Sequence, residues 1–201
     1  VSQKIPCVLV NSYSDKLPSV LSDNRKGAYL AGRYLIEHGH KTVALLAGVR
    51  SYLSNQERTA GFLQAFQEEG LSIPPELILE TGSWLYDAAE KVCLNFFNTY
   101  TGEMPTALFA FNDRLATGAI NAICKTGRTV PDDVSVIGYD NLGYYNIISP
   151  RITTVETHIE AISESTVMHM IWQLNNGSCL PVKVLTPVEV ISGETVRSLL
   201  C

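Results

Sequence analysis

The sequence predicts an α/β fold with parallel sheets and right-handed crossovers, because apolar strands alternate with amphipathic helices along the whole chain. The clearest unit lies in residues 105–141, where an apolar run at 106–111 is followed by a helical pattern at 115–126 and a second apolar run at 134–139. A strand, a helix and a strand in this order form a βαβ unit, whose parallel strands are covered on both faces.

The elements before this unit follow the same alternation. Residues 5–10 are predicted to form a short buried strand, and residues 12–22, with a proline and several polar side chains, are interpreted as a loop. Asp23 and Asn24 occupy a helix N-cap position, and Gly39 ends the helix that follows. Further strands are predicted at 42–47 and 77–80, and further helices at 56–69 and 86–98.

The elements after the unit complete the fold but leave the first strand without an obvious partner. An irregular segment at 141–151 is followed by a strand at 153–155, a helix at 161–175 and extended pieces at 182–185 and 188–191. The strand at 5–10 has no neighbour of its own. We therefore expect its sheet to be completed by residues outside the chain or by the segment near 155–185.

Composition and charge exclude several classes of protein. The chain has 201 residues, 46% of them hydrophobic, which is enough for the core of one domain or of two lobes. The formal net charge is −5, and no basic cluster is dense enough to bind nucleic acid. No apolar run is long enough to span a bilayer, so no membrane partner is expected. No signal peptide opens the chain.

The cysteines and histidines indicate neither disulfides nor a metal site. The five cysteines are scattered, odd in number and never in a C-x-x-C pair, which is typical of a reducing compartment. His38 and His40 flank the glycine that ends a helix, which favours helix-end electrostatics over metal ligation. Cofactors are likewise not expected, because the sequence contains neither a dinucleotide-binding nor a P-loop motif.

Catalytic motifs are also absent, so no catalytic residues are predicted. The sequence has no G-x-S-x-G elbow and no H-E-x-x-H pair. An enzyme on an α/β scaffold stays open as a third reading, because fold alone does not exclude it.

Polar and aromatic residues at strand ends predict a binding cleft instead. In open parallel sheets, ligands bind in the crevice at the carboxyl ends of the strands. Donors and acceptors of this kind, with one aromatic ring, suit a neutral, hydroxyl-rich ligand. The predicted residues are Asn11, Ser54, Arg58, Trp84, Asn112 and Asp140.

Arg58, Trp84 and Asp140, and the neighbouring Asp113, also have purely structural interpretations. Asp113, which follows Asn112, is well placed to cap the helix behind it, and we favour capping there. Capping is disfavoured for Asp140, because no helical pattern follows it. Arg58 could be a solvated helix residue and Trp84 a filler of the core. The common placement at strand ends favours the cleft.

Six stretches, in the same order along nearly the whole chain, resemble one family. They are Asp23-Asn-x-x-Gly-Ala-x-Leu-Ala-x-x-Tyr-Leu-Ile-x-His-Gly-His-Lys41, Leu46-Ala-Gly48, Arg58-x-x-Gly-Phe62, Ala110-Phe-Asn-Asp113, Val130-Pro-Asp-Asp-Val-Ser-Val-Ile-Gly-Tyr-Asp-Asn141 and Pro150-x-Ile-Thr-Thr-Val155. The chain resembles the effector-binding core of the lactose/galactose repressor (LacI/GalR) transcription regulators.

The resemblance implies the type I periplasmic-binding-protein fold, in which two Rossmann-like lobes joined by three crossovers clamp a ligand. Residues 24–154 and 185–201 would form the C-terminal lobe, and residues 1–23 and 155–184 an incomplete N-terminal lobe. The family's helix-turn-helix headpiece and hinge helix are not in this chain. Operator DNA would therefore be bound only through a headpiece outside it.

The resemblance also implies a function for particular positions. The six cleft residues match the family's ligand contacts, although Asn11 stands where some sugar-responsive members have aspartate. The implied effector is a small molecule, a sugar, and the implied assembly is a homodimer through the C-terminal lobe. The exposed apolar loop expected at that interface carries Tyr144, Tyr145, Ile147 and Ile148.

The leading hypothesis is therefore the ligand-sensing and dimerising module of a cytoplasmic transcription regulator. The alternative is a periplasmic sugar-binding protein of the same fold. The dimer loop has an alternative too, since its apolar side chains could fold back on their own core.

Overall fold

A four-stranded parallel sheet organises the fold in the computed structural model, which describes residues 5–143 and 149–200. The described elements, in chain order, are β1 (Leu9–Val10), β2 (Ser19–Ser22), α1 (Asn24–Glu37), β3 (Val43–Ala47), α2 (Leu53–Glu68), a 3₁₀ turn (Pro75–Leu77), β4 (Ile78–Glu80), α3 (Tyr86–Thr99), β5 (Ala107–Ala110), α4 (Asp113–Lys125), β6 (Ser135–Ile137), β7 (Thr154–Glu156), α5 (Ile159–Asn176), β8 (Lys183–Thr186) and β9 (Glu189–Ile191). The alternation predicted from the sequence is confirmed.

The central sheet has the strand order β4-β3-β5-β6. Strands β3, β5 and β6 are buried throughout because helices cover both faces, and the edge strand β4 is only partly buried. Phe62 of α2 stacks on Phe66 and on Phe109 of β5, with ring centroids 4.9 and 4.8 Å apart. The chain crosses from β3 outward to β4, then returns past β3 to β5 and β6. The crossing direction therefore reverses between β3 and β5, which makes that gap the topological switch point of the sheet.

A second sheet with the order β1-β2-β8 corrects two predictions for the start of the chain. The loop expected at 12–22 contains β2, which pairs in parallel with both β1 and β8. The first strand therefore has a neighbour, and the late segment does complete its sheet. It is also shorter than predicted and is not buried, since Val10 is 47% exposed at the sheet edge.

One pair of strands departs from the all-parallel expectation. β7 and β9 are antiparallel, with Val155 opposite Val190. Antiparallel pairs are common at the edges of mostly parallel sheets. Here β9 follows β8 of the second sheet along the chain and runs opposite to β7. The predicted division into lobes stays a prediction, and its boundary between residues 184 and 185 falls inside β8.

The helix ends confirm one predicted cap and correct another. The Asp23 carboxylate accepts from the Lys26 backbone N–H at 3.0 Å, so Asp23 caps α1 as predicted. Asp113 does not cap α4. The cap is its neighbour Asn112, whose Oδ1 accepts from the Leu115 N–H at 2.7 Å. In the part of the chain that the structure describes, no helix has the length and apolarity to cross a membrane.

Helices α1 and α2 approach each other closely at Gly61, whose neighbour across the interface is the Arg25 carbonyl. A Cβ at Gly61 would lie 2.0 Å from that backbone oxygen, which no side-chain rotation can relieve. Gly61 belongs to the Arg58-x-x-Gly-Phe motif. Because it has no side chain, it allows the close distance between α1 and α2, the helix that carries Arg58.

We predict that Gly61→Ala destabilises the protein although alanine favours helices. The propensity gain of about 1 kcal/mol is outweighed by an overpacking cost of roughly 1–3 kcal/mol. Urea unfolding should show a lower midpoint. Gln67→Ala is the control on the same helix, because Gln67 is exposed and its replacement by alanine should leave the midpoint unchanged. A wild-type midpoint for Gly61→Ala would contradict this prediction.

Candidate functional site

A cavity of about 170 Å³ lies where the carboxyl ends of the central strands meet α1 and α2. All six residues predicted from the sequence line it, together with one residue, Asn24, that was assigned only to helix capping. The lining residues are Asn11, Asn24, Ser54, Arg58, Trp84, Asn112 and Asp140. This is the switch point of the sheet, where ligands bind in folds of this class.

Local structure explains how these side chains reach one place. Ser54 and Arg58 are one helical turn apart at the start of α2, so both lie on the same face. Asn112 lies two residues after the end of β5, and Asp140 lies three residues after the end of β6. Asp140 has φ = 99°, a sparsely populated conformation, and its backbone N–H donates to the Val155 carbonyl at 2.9 Å. Strained backbone of this kind concentrates at functional sites.

Arg58 is the fixed centre of the cavity and not a solvated helix residue. Its residue exposure is 7%. Its Nε–H donates to Asn24 Oδ1 at 2.9 Å, Nη1 donates to the Phe111 carbonyl, and Nη2 lies 3.2 Å from Asp140 Oδ1. The guanidinium carbon also lies 3.6 Å from the centre of the Tyr139 ring. The hydrogen bonds at the edges of the guanidinium and the ring on one face thus offset the free-energy cost of burying this cation.

Asp140 supplies the negative charge of the site. Its side chain is 27% exposed and pairs with Arg58. Burial raises the pKa of Asp140 above its ordinary value, and the neighbouring guanidinium opposes that rise. Because one cation faces one carboxylate, the cavity carries little net charge.

Unused hydrogen-bonding groups define what the cavity could bind. Arg58 has five N–H donors, of which three take the protein acceptors described above. One N–H on each Nη nitrogen is therefore left for a ligand. Asn112 uses its oxygen for the helix cap, which leaves its amide N–H groups as donors. The site thus presents donors from Arg58 and Asn112 and acceptor oxygens from Asp140.

Trp84 packs against the core and also lines the cavity, so both interpretations given for it above apply. It is half-buried and packs so closely on Gly48 that a Cβ there would lie 2.6 Å from its Cε3. Its ring is tilted by 35° to that of Tyr52, with centroids 6.1 Å apart. The ring therefore rests on the edge of the core and still forms one wall of the cavity.

Asp113 is a buried acid next to the cavity that sequence reasoning assigned only to capping. Its carboxylate accepts from Thr154 Oγ at 2.6 Å and from the Leu142 N–H at 3.3 Å, and its residue exposure is 2%. Burial raises the pKa of Asp113 to about 7, and the charge of Asp140 adds to the rise. Asp113 ties the turn that carries Asp140 to β7.

We predict that Asp113 makes stability depend on pH. Its pKa is about 7 when folded and has an ordinary value of 3.8, so its favourable contribution is complete below pH 4 and is lost as pH rises through 7. The unfolding free energy of wild type, relative to Asp113→Asn, should fall from pH 4.5 to 8. The slope should be at most about 1.4 kcal/mol per pH unit.

Asp133→Asn is the matched control for this titration. Asp133 hydrogen-bonds Thr129 on the surface, which lowers its pKa, so that aspartate stays charged throughout the range. Its difference from wild type should be constant between pH 4.5 and 8. A constant difference for Asp113→Asn as well would contradict the role given to the buried acid.

Among the described residues, no group of three or more His, Cys, Asp or Glu side chains could hold a metal ion. His40 forms hydrogen bonds with Thr106 Oγ1 and with the Arg197 carbonyl, both at 3.0 Å, and burial lowers the pKa of His40.

The predicted dimer residues Tyr144, Tyr145, Ile147 and Ile148 lie outside the described residues, so their role stays a prediction.

Comparison with known proteins points to a single family. The sequence profile described as "Periplasmic binding protein-like domain" matches residues 33–196. The chain is 31% identical, over 98% of its length, to the probable HTH-type transcriptional repressor ExuR of Bacillus subtilis, and 33% identical, over 96%, to the HTH-type transcriptional repressor PurR of Pasteurella multocida. It spans 59% and 58% of the lengths of these two relatives.

Solved structures agree with this assignment. A dimeric Lac repressor superimposes with a TM-score of 0.84 at 26% sequence identity, over 95% of this chain and 69% of the repressor. The type I periplasmic-binding-protein fold expected from the sequence is confirmed.

Proposed function

Because this chain belongs to the periplasmic-binding-protein-like domain family, we propose that it is the ligand-sensing and dimerising part of a LacI-type transcriptional regulator. Its curated relatives are transcriptional repressors, which favours a regulator over the alternative of a periplasmic sugar-binding protein. Cys7, Cys93, Cys124 and Cys179 are free thiols, as in proteins of a reducing compartment. We propose that the regulator is located in the bacterial cytoplasm, where operator DNA is found. We also propose that it binds its ligand and does not catalyse a reaction of that ligand.

The proposed ligand is a small neutral polyol, a sugar. The observation that carries this proposal is the ion pair of the buried Arg58 and the partly buried Asp140 on one cavity wall, with a donor fork beside a carboxylate. A hydroxyl group both accepts and donates, so neighbouring hydroxyls satisfy the two side chains together. A strongly anionic ligand would meet the Asp140 charge, and Trp84 offers a flat apolar surface to a ring.

The cavity size agrees with a small ligand. Its volume of about 170 Å³ is below the roughly 300–1,000 Å³ of pockets that hold drug-sized molecules. Seven side chains line it and six of them are polar, which suits a molecule that carries hydroxyls on most of its edges.

The proposed mechanism is a shift between conformations. A ligand that binds better to one arrangement of the two lobes favours that arrangement, and in a dimer this changes the spacing of the attached DNA-binding headpieces. DNA binding is assigned only to a headpiece outside this chain. The described surface, with its acidic net charge, is not proposed to contact operator DNA.

We predict that Arg58→Ala and Asp140→Ala each weaken sugar binding about tenfold to a hundredfold. The reason is that loss of one partner of a buried charge-assisted hydrogen bond costs about 1.5–3 kcal/mol. Arg58→Lys should not restore affinity, because lysine lacks the planar fork. Calorimetric titration against a panel of neutral monosaccharides measures these affinities.

The control for charge loss is Arg33→Ala. Arg33 forms its ion pairs with Glu37 and Glu69 on the surface, and its removal should leave affinity unchanged. The proposal fails if the tightest ligand ignores both cavity substitutions. It fails equally if the protein binds no neutral polyol.

We predict a homodimer through the segment at 143–148, in line with the dimeric Lac repressor of the same fold. Ile148→Asp should shift sedimentation velocity toward the monomer, because a charge in an apolar interface loses its hydration. Leu200→Asp, at a side chain that is 63% exposed, is the control and should sediment as wild type does. A wild-type protein that is monomeric at high concentration would contradict the prediction.

A further inference from the structure

Asn24 lines the cavity but is not among the six ligand contacts predicted from the sequence. It is the first residue of α1, directly after the cap Asp23, and its residue exposure is 3%. A polar side chain buried to this degree requires hydrogen-bond partners, because an unsatisfied amide in the interior is destabilising. Its partners therefore indicate what the residue does.

Both ends of the Asn24 amide are engaged. Its Oδ1 accepts from Arg58 Nε at 2.9 Å. Its Nδ2 donates to the Ser22 carbonyl at 3.3 Å and to Glu57 Oε2 at 3.4 Å. The orientation of the amide is thus fixed, since the reversed amide would place N–H groups against the Arg58 N–H. A carboxylate could keep the Arg58 contact but would lose both donors.

The Arg58 guanidinium needs this contact to keep a single orientation. The Phe111 carbonyl and Asp140 hold its two Nη nitrogens, and Tyr139 covers one face. The Nε edge has Asn24 as its only acceptor among the described residues. Without that acceptor, a buried N–H of a charged group would be unsatisfied, and rotation of the side chain toward other acceptors would relieve the cost.

We propose that Asn24 is a positioning residue for ligand binding, which locks the Nε edge of Arg58 so that the unused N–H groups on its Nη nitrogens face the cavity. This inference rests on the proposed function for its biological meaning. Asn24 itself acts through Arg58, so its effect is visible on Arg58 before any ligand is added.

The test follows the Nε–H group of Arg58 by ¹H–¹⁵N NMR of the ligand-free protein. The cross-peak is assigned by its loss in Arg58→Lys. In Asn24→Leu, which has a similar volume but no acceptor, the Nε–H should exchange with water about tenfold faster or more. Asn24→Ala should give the same result and serves where the leucine variant does not fold. Asn24→Asp keeps an acceptor and should keep the slow exchange.

Asn55→Ala is the matched control for a general loss of structure. Asn55 is 4% exposed and lies on the same helix as Arg58, but its Oδ1 accepts from the Gly48 N–H at 2.9 Å. Its removal should leave the Arg58 exchange rate as in wild type. Unchanged exchange in Asn24→Leu and Asn24→Ala would overturn the proposal, as would equal acceleration in Asn55→Ala. Because no ligand is present, the outcome is independent of whether sugars bind.

Discussion

The buried guanidinium of Arg58 is the constraint on which the organisation of the site depends. A cation removed from water is tolerated only when its donors are paired and its charge is balanced. The protein meets this requirement from three separate elements, through Asn24 at the start of α1, the Phe111 carbonyl after β5 and Asp140 after β6. Arg58 therefore ties the ends of two strands to the helix pair above them, and a cavity remains beside it.

The surrounding structure serves to keep these partners in place. Gly61, one turn after Arg58, lets α2 approach α1 closely enough for Asn24 to reach the guanidinium. Asp113 holds the turn that follows β6 through Leu142, and the backbone of Asp140 is held by Val155. A buried acid and a residue with an unusual φ angle, both of which lower the free energy of unfolding, thus lie beside the cavity. Such groups are commonly found at functional sites.

The sequence was informative where one signal had one meaning. Runs such as β3 and β5 are apolar throughout because both faces are covered, and the polar residues in the segments that follow these strands located the cavity wall. Prediction failed where signals overlapped. Asn112 and Asp113 are both good capping residues, and Asn24 was explained by capping before its side chain could be considered. The Phe111 carbonyl and the short strand β2, which begins and ends on serine, have no signature in the side-chain pattern.

A crystal structure of the protein grown with its tightest-binding neutral sugar would test the central claim most directly. We expect the sugar in the described cavity, with hydroxyl groups within hydrogen-bond distance of the Arg58 Nη nitrogens and the Asp140 carboxylate, and with Arg58 Nε still bonded to Asn24. A sugar that contacts neither Arg58 nor Asp140, or an Arg58 side chain turned away from Asn24, would contradict the role assigned to the buried guanidinium.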